Sequence, residues 1–345
     1  MKSKNTTRKQ NCPSVFNNSH PPRRILAIRF HAIGDVVITL PYLQFLKKSL
    51  PHIKLDLLIR EETEEIPKNI LLFDNIYSIR GGRNYKKQLI YSAFLLPRLY
   101  LNHYDVVIDL QNNTVSKFIR KALMPKAWAE FDRFSSNPAG ERTRKTIEAI
   151  GLGQCFASTG FILKNQAEPL EILKRFGWKI ENQLVILNPA GAFETRNWPI
   201  INYVDFSKQW LNRFPGTQFA IIGLGKISEK AQYLEKCLGE CLINLVGHTN
   251  LSQAFGIIQH ASFILSEDSG LMHMAWVSGI PTMVLFGSTR SDWARPLGDH
   301  TDYLDSSDLE CGNCMKKHCK FEDIFCLTRY SAEYVFERAV SLARK

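Results

Sequence analysis

The repeated order of strand, glycine turn and helix constrains this chain more than any other feature of its sequence. Ile25 to Phe30 is an apolar run typical of a buried strand, His31 to Gly34 predicts a turn, and apolar residues recur at helical spacing from Asp35 to Leu50. The same alternation continues beyond Ile53. Because consecutive parallel strands need a crossover that a helix supplies, the pattern predicts an α/β fold with a doubly wound parallel sheet.

The alternation restarts at Leu184, which indicates a second domain of the same kind. A length of 345 residues exceeds what one hydrophobic core usually organises. We predict two Rossmann-like domains, residues 25–165 and 184–330, joined by a linker over residues 166–183 and followed by a C-terminal helix over residues 331–345. Such sheets bind ligands beyond the carboxyl ends of their strands, so a site is expected in the cleft between the domains.

Charge is distributed unevenly along the chain. Residues 1–24 carry six Lys or Arg and no acidic residue, and their polar composition predicts a flexible basic tail. Residues 1–165 together have a net charge of +13, whereas residues 166–345 have a net charge of −2. This bias suits an anionic partner, either a nucleic acid or a phosphate-rich membrane surface, and the alternative is an ordinary solvated surface.

The apolar stretches are too short to cross a bilayer. Stretches such as Ile90 to Leu96 fall below the roughly 18 residues that a spanning helix needs. The polar N-terminus lacks the apolar segment of a secretory signal, so we expect a soluble cytoplasmic protein. In the segment Lys86 to His103, basic residues flank apolar ones, which predicts either contact with a membrane interface or a buried helix.

The segment from Ser266 to His273 carries the strongest local signal for a ligand site. It follows an apolar strand and opens a helix, whose free N–H groups and positive dipole end favour a diphosphate. Asp268 can accept two sugar hydroxyls, and His273 can donate to a phosphate or a hydroxyl. The alternative is an ordinary Asp or Ser helix cap beside a packed histidine.

Two other turns carry candidate residues. In the second half, Gly191 would let the backbone approach a ligand closely, and Arg196 supplies a guanidinium able to hold two phosphate oxygens. In the first half, Asp35 follows Gly34 in a strand-to-helix turn, where a carboxylate can act as a general base. The alternative for Asp35 is a purely structural role, since the helix dipole stabilises an acidic residue in the first turn.

Four of the eight cysteines cluster near the C-terminus. They are Cys311, Cys314, Cys319 and Cys326. The first two have the spacing of zinc ligands, whereas the others do not form a second pair of that spacing. A structural zinc site, a redox-sensitive disulfide and simple packed or exposed thiols are the alternatives, and no catalytic metal is predicted.

Taken in order, these segments resemble the lipopolysaccharide heptosyltransferases, glycosyltransferase family 9. The resemblance extends over about residues 25–340. Its motifs are Arg29 to Pro41, Asn188 to Gly191, Arg196 to Pro199, Leu245 to Leu251, Asp268 to His273, Phe286 to Pro296 and the cysteine-containing strip Cys311 to Leu327.

The resemblance implies a GT-B fold and a metal-independent enzyme without a cofactor. Such an enzyme transfers a heptose from ADP-heptose, with inversion, to a hydroxyl of Kdo or heptose in the lipopolysaccharide core. Asp35 is implied as the general base, with Gly34 and Arg29 on the acceptor side. The resemblance implies that the second domain binds the donor through Gly191, Arg196, Thr249, Leu251, Asp268, Ser269, Gly270, Leu271 and His273. It also implies an anionic glycolipid acceptor and peripheral contact with the cytoplasmic face of the inner membrane.

Three other functions remain open from the sequence. One is a GT-B transferase that uses another nucleotide sugar in the synthesis of a cell-surface glycan. Another is a non-catalytic protein that binds a nucleotide sugar. The third is a basic, zinc-containing nucleic-acid protein, which is disfavoured because no nucleic-acid-binding motif accompanies the doubly wound pattern. No nucleic-acid partner is therefore predicted.

Overall fold

The fold was analysed in a computed structural model that describes residues 13–17, 20–30 and 32–344. Within these residues, no helix is both long enough and apolar enough to pass through a bilayer. The secondary structure forms two separate sheets with helices on both faces of each.

The first sheet contains five parallel strands in the order β3-β2-β1-β4-β5. The strands are β1 (Arg24–Ile28), β2 (Lys54–Arg60), β3 (Asn75–Ile79), β4 (Val106–Asp109) and β5 (Ala127–Glu130). The helices of this half are α1 (Ile33–Ser49), α2 (Glu65–Asn69), α3 (Tyr85–Tyr100), α4 (Thr114–Leu123) and α5 (Ala139–Glu148). The central strand β1 pairs with β2 and β4, so its apolar side chains are buried on both faces.

The second sheet contains six parallel strands in the order β11-β10-β9-β6-β7-β8. The strands are β6 (Gln183–Asn188), β7 (Thr217–Ile221), β8 (Leu242–Asn244), β9 (Phe263–Glu267), β10 (Thr282–Leu285) and β11 (Thr301–Leu304). The helices are α6 (Ala167–Arg175), α7 (Ile200–Arg213), α8 (Ser228–Leu238), α9 (Leu251–Ile258), α10 (Gly270–Val277), α11 (Ser291–Ala294), α12 (Phe325–Thr328) and α13 (Ala332–Ala343). The C-terminal helix α13 packs on α7 and belongs to the core of this second half.

The two halves meet through helices that follow the carboxyl ends of their strands. Helix α1 packs against α10, and α2 packs against α9. The contact between α1 and α10 is close, since a Cβ atom added at Gly34 would lie 2.6 Å from Cδ2 of His273. This packing brings the carboxyl ends of the two sheets to face each other across a cleft.

The predicted doubly wound α/β fold with two domains is confirmed, and the predicted first strand and helix, Ile25 to Phe30 and Asp35 to Leu50, begin and end within two residues of β1 and α1. Strands β5 and β11 and helices α2, α5, α11 and α12 were not predicted. Strands β5 and β11 lie at sheet edges and have only four residues each, with polar or half-buried positions that leave a weak apolar signal.

Part of the segment predicted as a flexible tail packs on the first domain. Residues 1–12, 18 and 19 lie outside the described residues. Ser14, however, forms an isolated antiparallel bridge with Trp128 of β5. The backbone N–H of each residue donates to the carbonyl oxygen of the other, and both nitrogen-to-oxygen distances are 3.0 Å. The N–H of Phe16 donates to the carbonyl oxygen of Ile150 at 2.7 Å. The bridge satisfies backbone groups on the edge strand β5, which explains why residues 13–17 are held there.

Candidate active site

A cavity of about 930 Å³ occupies the cleft between the two domains. It lies where the ends of β1, β6, β7, β8, β9 and β10 give way to the following loops and helices, as expected for ligands of doubly wound sheets. The predicted site residues that line it are Gly34, Asp35, Arg196, Thr249, Leu251, Asp268, Ser269, Gly270, Leu271 and His273.

Asp35 lies in the first turn of α1 and faces this cavity. Its Oδ1 pairs with Nη2 of Arg29 at 2.9 Å, and its Oδ2 accepts the backbone N–H of Ala32 at 2.7 Å. The Asp35 side chain is 39% exposed, whereas that of Arg29 is only 7% exposed. The carboxylate therefore accepts a backbone N–H at the helix start and also remains accessible from the cleft.

Arg29 is held beneath Asp35 and does not line the cavity. Its guanidinium donates to the carbonyl oxygen of Leu110 and lies 4.8 Å from the ring centre of Phe131. Arg142 of α5 lies 4.9 Å from the same ring. Burial, reinforced by the charge of Arg29, lowers the pKa of Arg142, and the charge of Asp35 opposes this shift. Two guanidinium groups and one carboxylate thus form a compact charged cluster at the edge of the first domain.

The start of α10 presents backbone N–H groups to the cavity. Ser269 precedes the helix, and its side chain makes no capping bond to the helix backbone. Its hydroxyl instead accepts from Nδ2 of Asn188 at 2.6 Å, and the same amide group donates to Oγ of Ser266 at 2.7 Å. Because the serine hydroxyl is directed toward Asn188, the first N–H groups of α10 are left for a ligand.

Arg196 and Asp268 face each other beside this helix terminus. Nη1 of Arg196 lies 3.3 Å from Oδ2 of Asp268, and the guanidinium stacks 4.2 Å from the ring centre of Phe193. Stacking on Phe193 fixes the plane of the guanidinium, so that it can hold an anionic ligand with little further ordering.

His273 lies at the contact between the two domains. It is buried, and its ring packs against Gly34, where no larger residue would fit without movement. Burial lowers the pKa of His273, and the charges of Asp268 and Asp35 oppose the shift. The imidazole is therefore neutral at neutral pH. Its Nδ1 is buried and has no hydrogen-bond partner within the described residues.

Gly191 has a different role from the predicted close approach to a ligand. A Cβ atom at this position would lie 2.5 Å from the backbone oxygen of Arg196, so the close contact is made within the loop itself. The N–H of Gly191 donates to Oε2 of Glu267 at 2.7 Å. Gly191 is not among the residues that line the cavity, although its neighbours Ala190 and Ala192 are.

Glu267 is the residue that the sequence analysis missed. It is completely buried at the end of β9, and its Oε1 accepts the backbone N–H of Trp198 at 2.7 Å. Burial raises the pKa of Glu267 to about 7, and the charge of Lys230 is the largest of the effects that oppose this rise. Glu267 therefore holds both ends of the loop that carries Arg196. The signal available in the sequence was a carboxylate at the end of an otherwise apolar strand.

The loops after β7 and β8 line the cavity on one side of the central strands β9 and β6, and the loop after β10 lines it on the other side. Thr249 and Leu251 line it as predicted, beside Asn250, whose side chain caps α9 by accepting the N–H of Gln253 at 2.8 Å. Trp293, which lies within the predicted motif Phe286 to Pro296, also lines the cavity, and the guanidinium of Arg290 stacks 4.1 Å from its ring centre.

The four clustered cysteines lie around a second cavity of about 390 Å³. All four are free thiols, and no group of three or more His, Cys, Asp or Glu within the described residues is placed to hold a metal ion. Burial, aided by the nearby Cys319, raises the pKa of the Cys326 thiol to about 11. Cys326 is thus a protonated, unreactive thiol at neutral pH.

Comparison with known proteins agrees with this geometry. The profile of glycosyltransferase family 9 (heptosyltransferase) matches residues 160–325. Lipopolysaccharide heptosyltransferase 1 of Pseudomonas aeruginosa is 25% identical over 87% of this chain and 88% of its own length. Lipooligosaccharide heptosyltransferase 2 of Campylobacter jejuni is 24% identical over 90% of this chain and 96% of its own length.

Solved structures resemble the whole chain. A family 9 glycosyltransferase from Veillonella parvula superimposes with a TM-score of 0.79 and 18% identity, over 93% of this chain and 97% of its own. ADP-heptose lipopolysaccharide heptosyltransferase II from Escherichia coli superimposes with a TM-score of 0.70 and 19% identity, over 93% of this chain and 98% of its own. The two facing Rossmann-like domains are therefore a GT-B fold.

Proposed function

We propose that this chain is a glycosyltransferase that moves a heptose from ADP-heptose onto the lipopolysaccharide core, as its similarity to glycosyltransferase family 9 over residues 160–325 implies. One observation carries the proposal: Asp35 of the first domain and Arg196, Asp268 and His273 of the second line the same cavity. Such a cavity between two domains can hold a nucleotide sugar and an acceptor hydroxyl in one place.

In this proposal the donor binds mainly to the second domain, residues 184–330. The diphosphate lies against the N–H groups of α10 and the guanidinium of Arg196, and the sugar hydroxyls face Asp268. The adenosine lies near Thr249 and Leu251. What supports this arrangement is the position of these groups around one cavity of sufficient volume.

The acceptor hydroxyl is placed beside Asp35, whose carboxylate takes its proton. The hydroxyl oxygen attacks the anomeric carbon, the bond from that carbon to the β-phosphate oxygen breaks, and ADP leaves with the electron pair. A direct displacement of this kind inverts the anomeric configuration. We propose that Arg196, a hydrogen bond from His273 and the helix dipole stabilise the leaving diphosphate without a metal ion.

Arg29 has two roles in this scheme. Its ion pair with Asp35 fixes the direction of the carboxylate that accepts the proton. Together with Arg142, it also provides positive charge beside the attacking hydroxyl. That charge fits an acceptor sugar that carries a carboxylate or a phosphate, which agrees with Kdo or phosphorylated heptose as the acceptor.

Arg196→Ala should weaken ADP binding about 10- to 100-fold, because two charge-assisted hydrogen bonds to the diphosphate are lost. Isothermal titration calorimetry with ADP measures the effect. Arg213→Ala is the matched control, since Arg213 also stacks on a neighbouring phenylalanine but lies at the end of α7, away from the cavity. Unchanged ADP affinity in Arg196→Ala would remove this loop from the phosphate site.

The donor and the reaction can be tested with a panel of nucleotide sugars. A ligand that binds only the folded state raises the unfolding temperature in proportion to its affinity, so ADP-heptose should stabilise the protein more than UDP- or GDP-sugars do. Purified core glycolipid should then gain one heptose, detected by mass spectrometry, and EDTA should not reduce the rate.

Each other outcome of this panel points to a specific alternative. Stabilisation by a different nucleotide sugar, together with its transfer, would indicate another GT-B transferase. Binding of ADP-heptose without transfer to any core glycolipid would indicate a non-catalytic binder. Loss of transfer in EDTA that magnesium or manganese restores would overturn the metal-independent mechanism.

A further inference from the structure

The outer face of α3 is an exposed apolar stripe. Ile90, Phe94 and Leu101 are 57%, 79% and 74% exposed, respectively. They lie four and seven residues apart, which places them on one side of a helix. The opposite side of α3, with Ser92 and Leu99, is buried against the first sheet. The sequence predicted either contact with a membrane interface or a buried helix for this segment. The structure shows a helix with one buried face and one exposed apolar face.

The helices that carry this stripe are basic, whereas Glu61 and Glu64 line a cavity together with Phe94. Neither α3 nor the neighbouring α4 contains an aspartate or a glutamate. Lys86 and Lys87 on α3 and Lys121 on α4 form no ion pair with any described carboxylate. Phe118 and Met124, on and just after α4, add exposed apolar side chains to the same region.

We propose that this α3–α4 face, defined by the exposed apolar side chains of α3 and α4 and the lysines around them, docks on a bilayer that contains anionic lipid. Apolar side chains enter the interface while the flanking lysines contact lipid phosphates. A protein partner would also cover apolar surface, but the unpaired lysines of α3 and α4, two helices that contain no acidic residue, are complementary to an anionic surface.

The position of the face fits delivery of a lipid-linked acceptor. Helix α3 follows β3, and α1 with Asp35 follows the parallel strand β1, so both helices begin at the same edge of the sheet. Docking through α3 and α4 would hold the cleft near the bilayer surface. The delivery of a lipid-linked acceptor to the cleft rests on the proposed function, whereas the docking of the α3–α4 face does not.

The test is co-sedimentation of the full chain with phosphatidylglycerol-containing vesicles and with phosphatidylcholine vesicles across a salt series. Binding should favour the anionic vesicles and weaken as the Debye length falls from about 10 Å at 0.1 M to about 3 Å at 1 M salt. The double variants Ile90→Gln/Phe94→Gln and Lys86→Gln/Lys87→Gln should each bind anionic vesicles at least about 10-fold more weakly.

Matched controls come from the second domain. Ile180→Gln/Ile201→Gln removes two similarly exposed apolar side chains, and Lys208→Gln/Lys236→Gln removes two lysines. Both control variants should bind vesicles like the parent. Equal binding to both kinds of vesicle, insensitivity to salt, or α3 variants that bind like the parent would overturn the proposal. A change from dimer to monomer in the α3 variants would instead assign the face to a second copy of the chain.

Failure of docking and failure of the proposed function give different results. Because the α3–α4 face lies outside the cavity, the α3 variants should keep the parent affinity for ADP and the parent rate with a detergent-solubilised acceptor. Vesicle binding without heptose transfer would contradict only the proposed function. Heptose transfer by a protein that does not bind vesicles would contradict only the docking.

Discussion

Asp35→Asn is expected to lower turnover by about two to four orders of magnitude, the usual contribution of a general base. The affinity for ADP should stay nearly unchanged, because a base acts in the transition state and does not hold the donor. The asparagine keeps the size of the side chain, and its Oδ1 can still accept the N–H of Ala32. What is lost is the ability to take a proton, together with the ion pair to Arg29.

Asp74→Asn provides a matched control for this substitution. Asp74 also pairs with a cation, Lys47, at 2.8 Å and accepts a backbone N–H, that of Leu55, at 2.8 Å. Its side chain is 33% exposed, which is close to the value for Asp35. Asp74 lies outside the cavity, so Asp74→Asn should keep the parent turnover. Single-turnover measurements with saturating donor decide the question, and near-normal turnover in Asp35→Asn would exclude the base assigned here.

Glu267→Gln is expected to lower the free energy of unfolding by about 2–4 kcal/mol. The carboxylate accepts one backbone N–H on each oxygen, from Gly191 and from Trp198. An amide has only one oxygen, so its NH₂ group must face one of these two donors in a completely buried position. The charge of Lys230, which acts on Glu267, also loses its compensation.

Urea unfolding followed by circular dichroism measures this loss. Glu235→Gln is the control, since Glu235 is exposed near the end of α8 and only accepts from Asn244 at 3.2 Å. Stability of Glu267→Gln within about 0.5 kcal/mol of the parent, the range of ordinary surface substitutions, would contradict the role of Glu267 in the loop. Glu267→Asp, whose shorter side chain reaches only one of the two amides, should fold and bind ADP more weakly, because the loop that carries Arg196 is then held at one end.

The structure also shows how different residue types contribute to the proposed site. Asp35, Arg196 and Asp268 present charged groups to the cavity, whereas Glu267 and Gly191 shape the loop behind it. Substitutions in the first set should change turnover or donor affinity with little effect on stability. Substitutions in the second set should change stability first and binding as a consequence.

The local structure of both domains follows from short stretches of the sequence. Apolar periodicity predicted the alternation of strands and helices in both domains, and the turns after β1, β6 and β9 contain most of the predicted site residues that line the cavity. These features are predictable because helical and strand spacing, turn chemistry and helix dipoles act between residues that are close in sequence. The short edge strands β5 and β11 were missed because four residues with little apolar character produce almost no periodic signal.

Which of these residues come into contact depends on how the elements of the two domains pack. The contact of Gly34 with His273 joins two domains, and the bond from Gly191 to Glu267 spans 76 residues. The exposure of Phe94 on α3 was equally unpredictable, since its apolar spacing fits a buried helix as well as a membrane-facing one. Burial and long-range contacts depend on how whole elements pack, and no short window of sequence contains that information.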